Sequence, residues 1–165
     1  MRASDIMTPA PAVVALDATA GDVATIMRDR DVGFVPVVES LESMRLRGVV
    51  TDRDLAIRCI AARIPYGESV RHCMTTTHLA TVAPDVEVHR VLMLMERAQV
   101  RRVPVVDPDG CVVGVIGQSD LARRIGAGEP WAIEELIERI SEPSAAMRPH
   151  VPVTVRGLPG SPLPS

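Results

Sequence analysis

Apolar residues along the chain gather into short runs around one longer amphipathic stretch, and the whole arrangement occurs twice. Val13-Val14, Val35 to Val38 and Val49-Val50 in the first half are matched by Leu79 to Val82, Val103 to Val106 and Val112 to Ile116 in the second. Short β-branched runs bounded by Gly, Pro and Asp predict strands. After the first run of each half, Ala20, Val23, Ala24 and Met27, and likewise Val88, Val91, Leu92 and Met95, keep the i, i+3, i+4, i+7 spacing of a buried helical stripe. Each half therefore predicts strand, helix, strand, strand, helix.

Identical words mark the repeat. VPVV at Val35 recurs 68 residues later at Val103, Met7-Thr8 recurs after 67 at Met74-Thr75, and Gly48, which opens GVVTDRDL, recurs after 66 at Gly114, which opens GVIGQSDL. A drift of one or two residues places the length changes in loops. The first unit runs from Ser4 to Arg63 and the second from His72 to Ile125, joined by a connector containing Pro65 and Gly67. Beyond them the spacing predicts an amphipathic helix over 131–141, with Ile133, Leu136, Ile137 and Ile140 on one side. Six prolines in the 23 residues of 143–165 predict an extended tail.

A unit of about 65 residues is marginal alone on surface-to-volume grounds, so the two halves are expected to share one core. The 165 residues are 47% hydrophobic, yet Phe34, Tyr66 and Trp131 are the only aromatic ones, so packing falls to aliphatic side chains. Met7, Met27, Met74, Met93 and Met95 read as core or interface filling. Pro36 and Pro104 read as structural, at sheet edges or bulges.

A formal net charge of −3 gives no electrostatic reason for a nucleic-acid partner, and three aromatics cannot build a stacking platform. No run approaches the roughly 20 apolar residues of a membrane span, and Asp5, Pro9 and Pro11 break any signal-peptide apolar stretch. The expectation is a cytoplasmic protein with no membrane partner. Cys59, Cys73 and Cys111 have no CxxC spacing and read as reduced thiols. His72, Cys73 and His78 form the only local suggestion of a metal site, and without a fourth ligand no metal is assigned.

Two copies of MT, VPVV and the Gly-led strand ending in Asp-Leu, in one order, resemble a tandem pair of cystathionine β-synthase (CBS) domains, a Bateman module. The resemblance covers Ile6 to Ile125 and is greatest to the small stand-alone pairs of the hypoxic response type. It implies an α+β fold of two β-α-β-β-α repeats related by a pseudo-twofold axis, and a homodimer. It further implies that the Asp ending each motif, Asp54 and Asp120, accepts hydrogen bonds from the ribose hydroxyls of an adenosine ligand. A carboxylate offers two acceptor oxygens to such a diol, and the helix that follows favours a phosphate.

By the same resemblance each site combines both units. Asp54, with Thr51 and Arg53, is expected to face Thr75 to Ala80, which includes His78, with Val100 nearby. Asp120, with Ser119 beside it and Arg101 and Arg102 as phosphate partners, is expected to face Thr8 to Val13, with Val32 nearby. The sites depart from the family pattern differently, since Gly33 and Phe34 stand where basic residues are common and Gly117 replaces a Ser or Thr. The Asp120 site is therefore favoured for a phosphate-bearing ligand. Thr51 and Asp54 also have the spacing of an acidic capping box, a reading that stands beside the ribose one.

No nucleophile motif or Gly-rich phosphate loop is present, so no catalysis and no required cofactor are expected. The resulting expectation is a regulatory sensor of AMP, ADP or ATP acting on an unidentified protein partner. S-adenosylmethionine fits less well because it offers Arg101 and Arg102 no phosphate. The alternative is a nucleotide-independent dimeric scaffold protein of a stress response.

Overall fold

The computed structural model of the chain describes residues 1–125. The helix expected over 131–141 and the tail over 143–165 lie outside the described residues. A short helix α1 (Ala3–Ile6) and strand β1 (Thr8–Pro9) lead into β2 (Val14–Ala15), α2 (Ala20–Arg30), β3 (Phe34–Val38) and β4 (Leu46–Thr51). A helical turn α3 (Asp52–Asp54) then runs directly into a π-helical turn, Leu55–Ile60. The second half opens on a 3-10 turn at Val70–His72 and continues through α4 (Val88–Ala98), β5 (Arg102–Val106), β6 (Val112–Gly117) and α5 (Gln118–Ile125).

Local chemistry sets the helix ends. The Thr19 hydroxyl accepts the Asp22 N–H (3.1 Å) while the Asp22 carboxylate accepts the Thr19 N–H (2.8 Å), so α2 starts on a reciprocal cap. That pairing holds the Asp22 carboxyl below its usual range. α2 and α4 stop at corresponding residues, Asp31 (φ 51°) and Gln99 (φ 53°), both left-handed.

The repeat is reproduced pair by pair. Val35 faces Val50, Pro36 faces Val49 and Val37 faces Gly48, as Val103 faces Ile116, Pro104 faces Val115 and Val105 faces Gly114. Each hairpin also bulges at one place, between Val37 and Val38 and between Val105 and Val106. A parallel neighbour lines the other side of each, Val14 beside Val37 and Val82 beside Val105. The strand expected over Leu79 to Val82 is thereby reduced to one bridging residue.

The prolines explain that brevity. β3 is the middle strand of its sheet, so Pro36 is not at an edge. Val82 donates to the Pro104 carbonyl (3.2 Å) and accepts from Val106 (2.9 Å). The Pro104 nitrogen faces the same side without a proton, so the parallel ladder cannot extend toward residue 80.

The leading segments are exchanged between the halves. β1 pairs with β6 of the second half, Thr8 opposite Val115 and Pro9 opposite Gly114. Reciprocally, Thr75 exchanges two backbone hydrogen bonds with Val49 of β4 (2.8 and 3.0 Å). The glycine of each motif permits the crossing: a β-carbon at Gly48 would lie 2.7 Å from the Thr75 carbonyl oxygen, and one at Gly114 would strike the Met7 side chain.

The exchange corrects the expectation of one shared core. Among the described residues two clusters form, one around Val14, Val23, Val35, Val37 and Val50, the other around Val91, Met95, Val103, Val105 and Ile116. Each is finished by the other half's leading segment: Val70 and Cys73 enter the first, Ala3 and Ile6 the second. A small unit thus obtains its missing apolar contacts from a borrowed segment rather than from a merged interior. One stripe reading also changes: Ala24 is exposed, although its counterpart Leu92 is buried. Of the methionines, Met27 and Met95 are buried and Met93 is 64% exposed, which excludes it from the core.

Candidate functional site

The crossing strands deliver residues of one half to the motif Asp of the other. At the second motif, Asp120 occupies the third position of α5, where its Oδ2 accepts the Gly117 N–H (2.8 Å). Its Oδ1 receives an Arg123 guanidinium nitrogen (3.2 Å) and faces the Thr8 hydroxyl of the other half (3.5 Å). Asp120 is 15% exposed and Arg123 74%, so the carboxylate is recessed behind a partner that solvent can draw away. A carboxylate has about four lone-pair positions. The backbone takes one on Oδ2, leaving Oδ1 for a ligand that displaces mobile partners.

Arg102 stands over the same ground. A β-carbon at Gly117 would meet Arg102 Cγ at 3.5 Å, Arg102 Nε at 3.6 Å and Asp120 Oδ2 at 3.5 Å. Gly117 therefore lies between the Arg102 side chain and the Asp120 carboxylate, at ordinary contact distance from both. The Arg101 carbonyl accepts the Gln118 N–H (3.2 Å), tying the start of β5 to the start of α5. Ser119 is exposed on the first turn of α5.

The first motif has the same frame with different charge. The Asp54 carboxylate accepts the Thr51 N–H (2.9 Å) and hydroxyl (2.7 Å), while Asp54 N–H donates to that hydroxyl (3.1 Å). This is the capping box read from the sequence. Arg58 Nε lies 3.4 Å from Asp54 Oδ1, and the same guanidinium donates to the carbonyls of Cys73 (3.1 Å) and Met74 (2.9 Å). Arg58 thus ties Asp54 to the crossing segment and holds its Oδ1 as Arg123 holds Asp120 Oδ1, the two carboxylates being about equally recessed (18% and 15% exposed).

A second charge difference follows from Asp52, which stands where the second half has Gln118. A β-carbon at Gly33 would lie 2.6 Å from Asp52 Oδ2, so the carboxylate fills the space beside Gly33. Arg53 is exposed, and its backbone N–H donates to Asp52 Oδ1 (2.7 Å). The first strand end thus carries a negative charge, at Asp52, that Gln118 does not supply at the second.

The remaining expected residues are placed as follows. Thr75 is half-buried with its backbone paired to Val49. His78 is exposed and left-handed (φ 53°), as is Ala10 (φ 46°) at the corresponding point beyond the other crossing strand. Val32 packs on the first cluster and Val100 on the second, each beside its own half's core, and Val13 is half-buried. Sequence reasoning missed Arg58, Arg123 and the capping role of Asp120. Spacings of i+4 and i+3 from the two Asp residues were the signal for the arginines.

His72 pairs with Glu68 (3.8 Å) and Cys73 is buried, so His72, Cys73 and His78 do not converge. Among the described residues no three His, Cys, Asp or Glu side chains come together to hold a metal ion. None of the helices there is long and apolar enough to cross a membrane.

Comparison with known proteins places this geometry in context. The family model for the CBS domain matches residues 3–59 and again 70–127. Hypoxic response protein 1 of Mycobacterium tuberculosis (strain H37Rv) is 30% identical over 143 residues, 87% of this chain and 96% of the relative. A crystal structure of Hypoxic Response Protein I with two coordinated zinc ions superposes with a TM-score of 0.68 at 30% identity, covering 75% of this chain and 98% of that one. A CBS domain pair in complex with 5′-methylthioadenosine and S-adenosyl-L-methionine gives 0.67 at 25% identity, covering 78% and 98%. CBSX2 in complex with AMP gives 0.66 at 27% identity, covering 75% and 95%.

Proposed function

Because the chain belongs to the CBS domain family and carries two copies in tandem, we propose that it is a non-catalytic regulatory sensor of an adenosine nucleotide. The ligand, AMP, ADP or ATP, occupies the cleft at Asp120, between units taken as 4–63 and 72–125. The observation that carries this reading is the meeting of Thr8 with Asp120 across the halves, beside Arg102. Asp120 Oδ1 receives the ribose diol by displacing Arg123, and Arg102 and the freed Arg123 take the phosphate. Aliphatic side chains wall the adenine, in keeping with the scarcity of aromatics. The Asp54 cleft, with Arg58 tied down and Asp52 adding negative charge, is the weaker site for a phosphate.

Occupancy changes the contacts of Thr8 and Arg123, and the reading passes that change to a protein partner in the cytoplasm. It includes a homodimer, which the exposed apolar residues Ile57 (51%), Ile60 (76%) and Met93 (64%) favour. Calorimetry with adenosine, AMP, ADP, ATP and S-adenosylmethionine tests the ligand. Saturable binding near one AMP per chain supports the reading, and no heat with any of them at millimolar concentration refutes it. Light scattering tests the dimer, which a monomeric mass at micromolar concentration sinks.

One observation favours a second reading. Both motif carboxylates are already satisfied within the protein, Asp54 by Thr51 and Arg58 and Asp120 by Gly117 and Arg123. A scaffold protein whose clefts bind nothing needs no more than that, and the same titration separates the two.

A further inference from the structure

Cys59 and Cys73 come from different segments, the π-helical turn after α3 and the stretch leading into the second crossing strand, yet both are buried in the first cluster (4% and 0% exposed). A side-chain contact also joins the two segments. Arg58, adjacent to Cys59, donates to the carbonyl of Cys73 itself (3.1 Å). The Cys73 thiol donates to the Val70 carbonyl (3.2 Å), and Cys59 lies near enough to act on it. Burial first, and then the neighbouring Cys59, pushes the Cys73 thiol up to about 12, so at neutral pH it rests as the unreactive protonated form.

We propose that Cys59 and Cys73 are a redox-active pair that closes into an intramolecular disulfide, with a low-molecular-weight disulfide as the oxidant. The route in is the π-helical turn, an uncommon and weakly held helical form, closed here by Ala61 N–H to Ala56 and Ile64 N–H to Cys59 (both 2.9 Å). When that turn opens, one cysteine is deprotonated and its thiolate attacks the oxidant. A mixed disulfide forms and one small thiol leaves. The second cysteine, deprotonated in turn, attacks the protein-bound sulfur, so that the Cys59–Cys73 bond forms and the second small thiol leaves. Two electrons and two protons pass from the cysteine pair to the oxidant, and a small dithiol reverses the exchange.

The bond locks the turn that bears Arg58 onto the segment that bears Thr75. Cys111 sits apart, at the hairpin tip in a bridge with Arg45, outside the cluster that holds the pair.

The test uses the full chain with Cys111→Ser, incubated with millimolar glutathione disulfide and mapped by mass spectrometry without reduction. The expected result is a linked peptide pair containing Cys59 and Cys73, lighter by two hydrogens. Closing a loop of about 15 residues should raise the thermal midpoint by roughly 6–12 °C, reversibly on adding dithiothreitol. Two free thiols, stable mixed disulfides, or crosslinks between chains after prolonged exposure would each overturn the proposal. Adding Cys59→Ala provides the control that needs no disulfide to fold. A midpoint that rises equally in that variant would show that the gain has another source.

Discussion

Replacing Asp120 by alanine separates the two things this carboxylate does. Its structural share is the bond from the Gly117 N–H at 2.8 Å, made at a buried strand end, so the substitution leaves a donor without its acceptor. Loss of a helix cap of this kind costs about 0.5–2 kcal/mol. The Arg123 contact adds little, because that side chain is 74% exposed and solvent screens the pair. A net loss of about 1–2 kcal/mol lowers the melting temperature of a chain this size by roughly 2–8 °C. The binding share is separate: removing a charged acceptor from the ribose diol costs about 1–3 kcal/mol, or about 5- to 150-fold in Kd. Asp120→Asn keeps an acceptor for Gly117, so it should recover most of the stability but only part of the affinity. Thermal melts without ligand, paired with calorimetry well below both transitions, read the two shares independently. Unchanged AMP affinity in a folded Asp120→Ala protein would remove Asp120 from the ligand site and leave it a cap alone.

Three further outcomes follow from the geometry. Arg102→Ala should weaken AMP and ATP about tenfold or more while leaving adenosine within about twofold, and equal losses in calorimetry would assign Arg102 to packing. Gly48→Ala should destabilise the protein by about 1–2 kcal/mol, because the new methyl meets the Thr75 carbonyl at 2.7 Å and threatens both hydrogen bonds to Val49. Gly114→Ala should destabilise it as well, since the new methyl meets Met7 at its Cγ (2.9 Å) and at its Cβ (3.1 Å), which rotation cannot clear; an unchanged midpoint for either variant in urea titrations would contradict the crossing geometry. Asp22 is held below its usual pKa by Thr19, so its support for α2 is present above the unfolded value and is lost as pH falls through the folded one. Amide exchange at the start of α2 should therefore quicken on acidification relative to the helix interior, and Thr19→Ala should abolish the difference.

The strands other than Leu79 to Val82, and most of both helical stripes, were legible because burial here follows periodicity. Val23, Met27, Val91, Leu92 and Met95 are buried where the spacing places them. Ala24 fails because a small residue carries little information about which face it occupies, and the neighbouring stripe residues suffice to hold α2. The capping role of Asp120 was hidden because its partner is a glycine: Thr51 announces a cap by its side chain, whereas Gly117 offers only its N–H. The exchange of leading segments left the faintest trace. β1 is two residues long and Thr75 forms a single bridge, too short for any apolar pattern to say which sheet they join. The pairing of Asp120 with the Thr8 side of the other half came from the family resemblance, and the glycines under Met7 and Met74 supply its physical reason.

The exchanged segments also set an order of events during synthesis. Thr75 follows soon after β4, so the first cluster can close while the chain is still being made. Thr8 must wait for Val115, the partner it faces in the finished sheet. At ~5–20 residues per second, the intervening stretch of roughly 100 residues takes on the order of 5–20 s to emerge. Throughout that interval Ala3 and Ile6 have no cluster to enter, since theirs does not yet exist. The Ala3–Pro9 segment is therefore a latch that closes last although it is made before the strands it joins, and a chain cut short before β6 leaves that latch open to proteases.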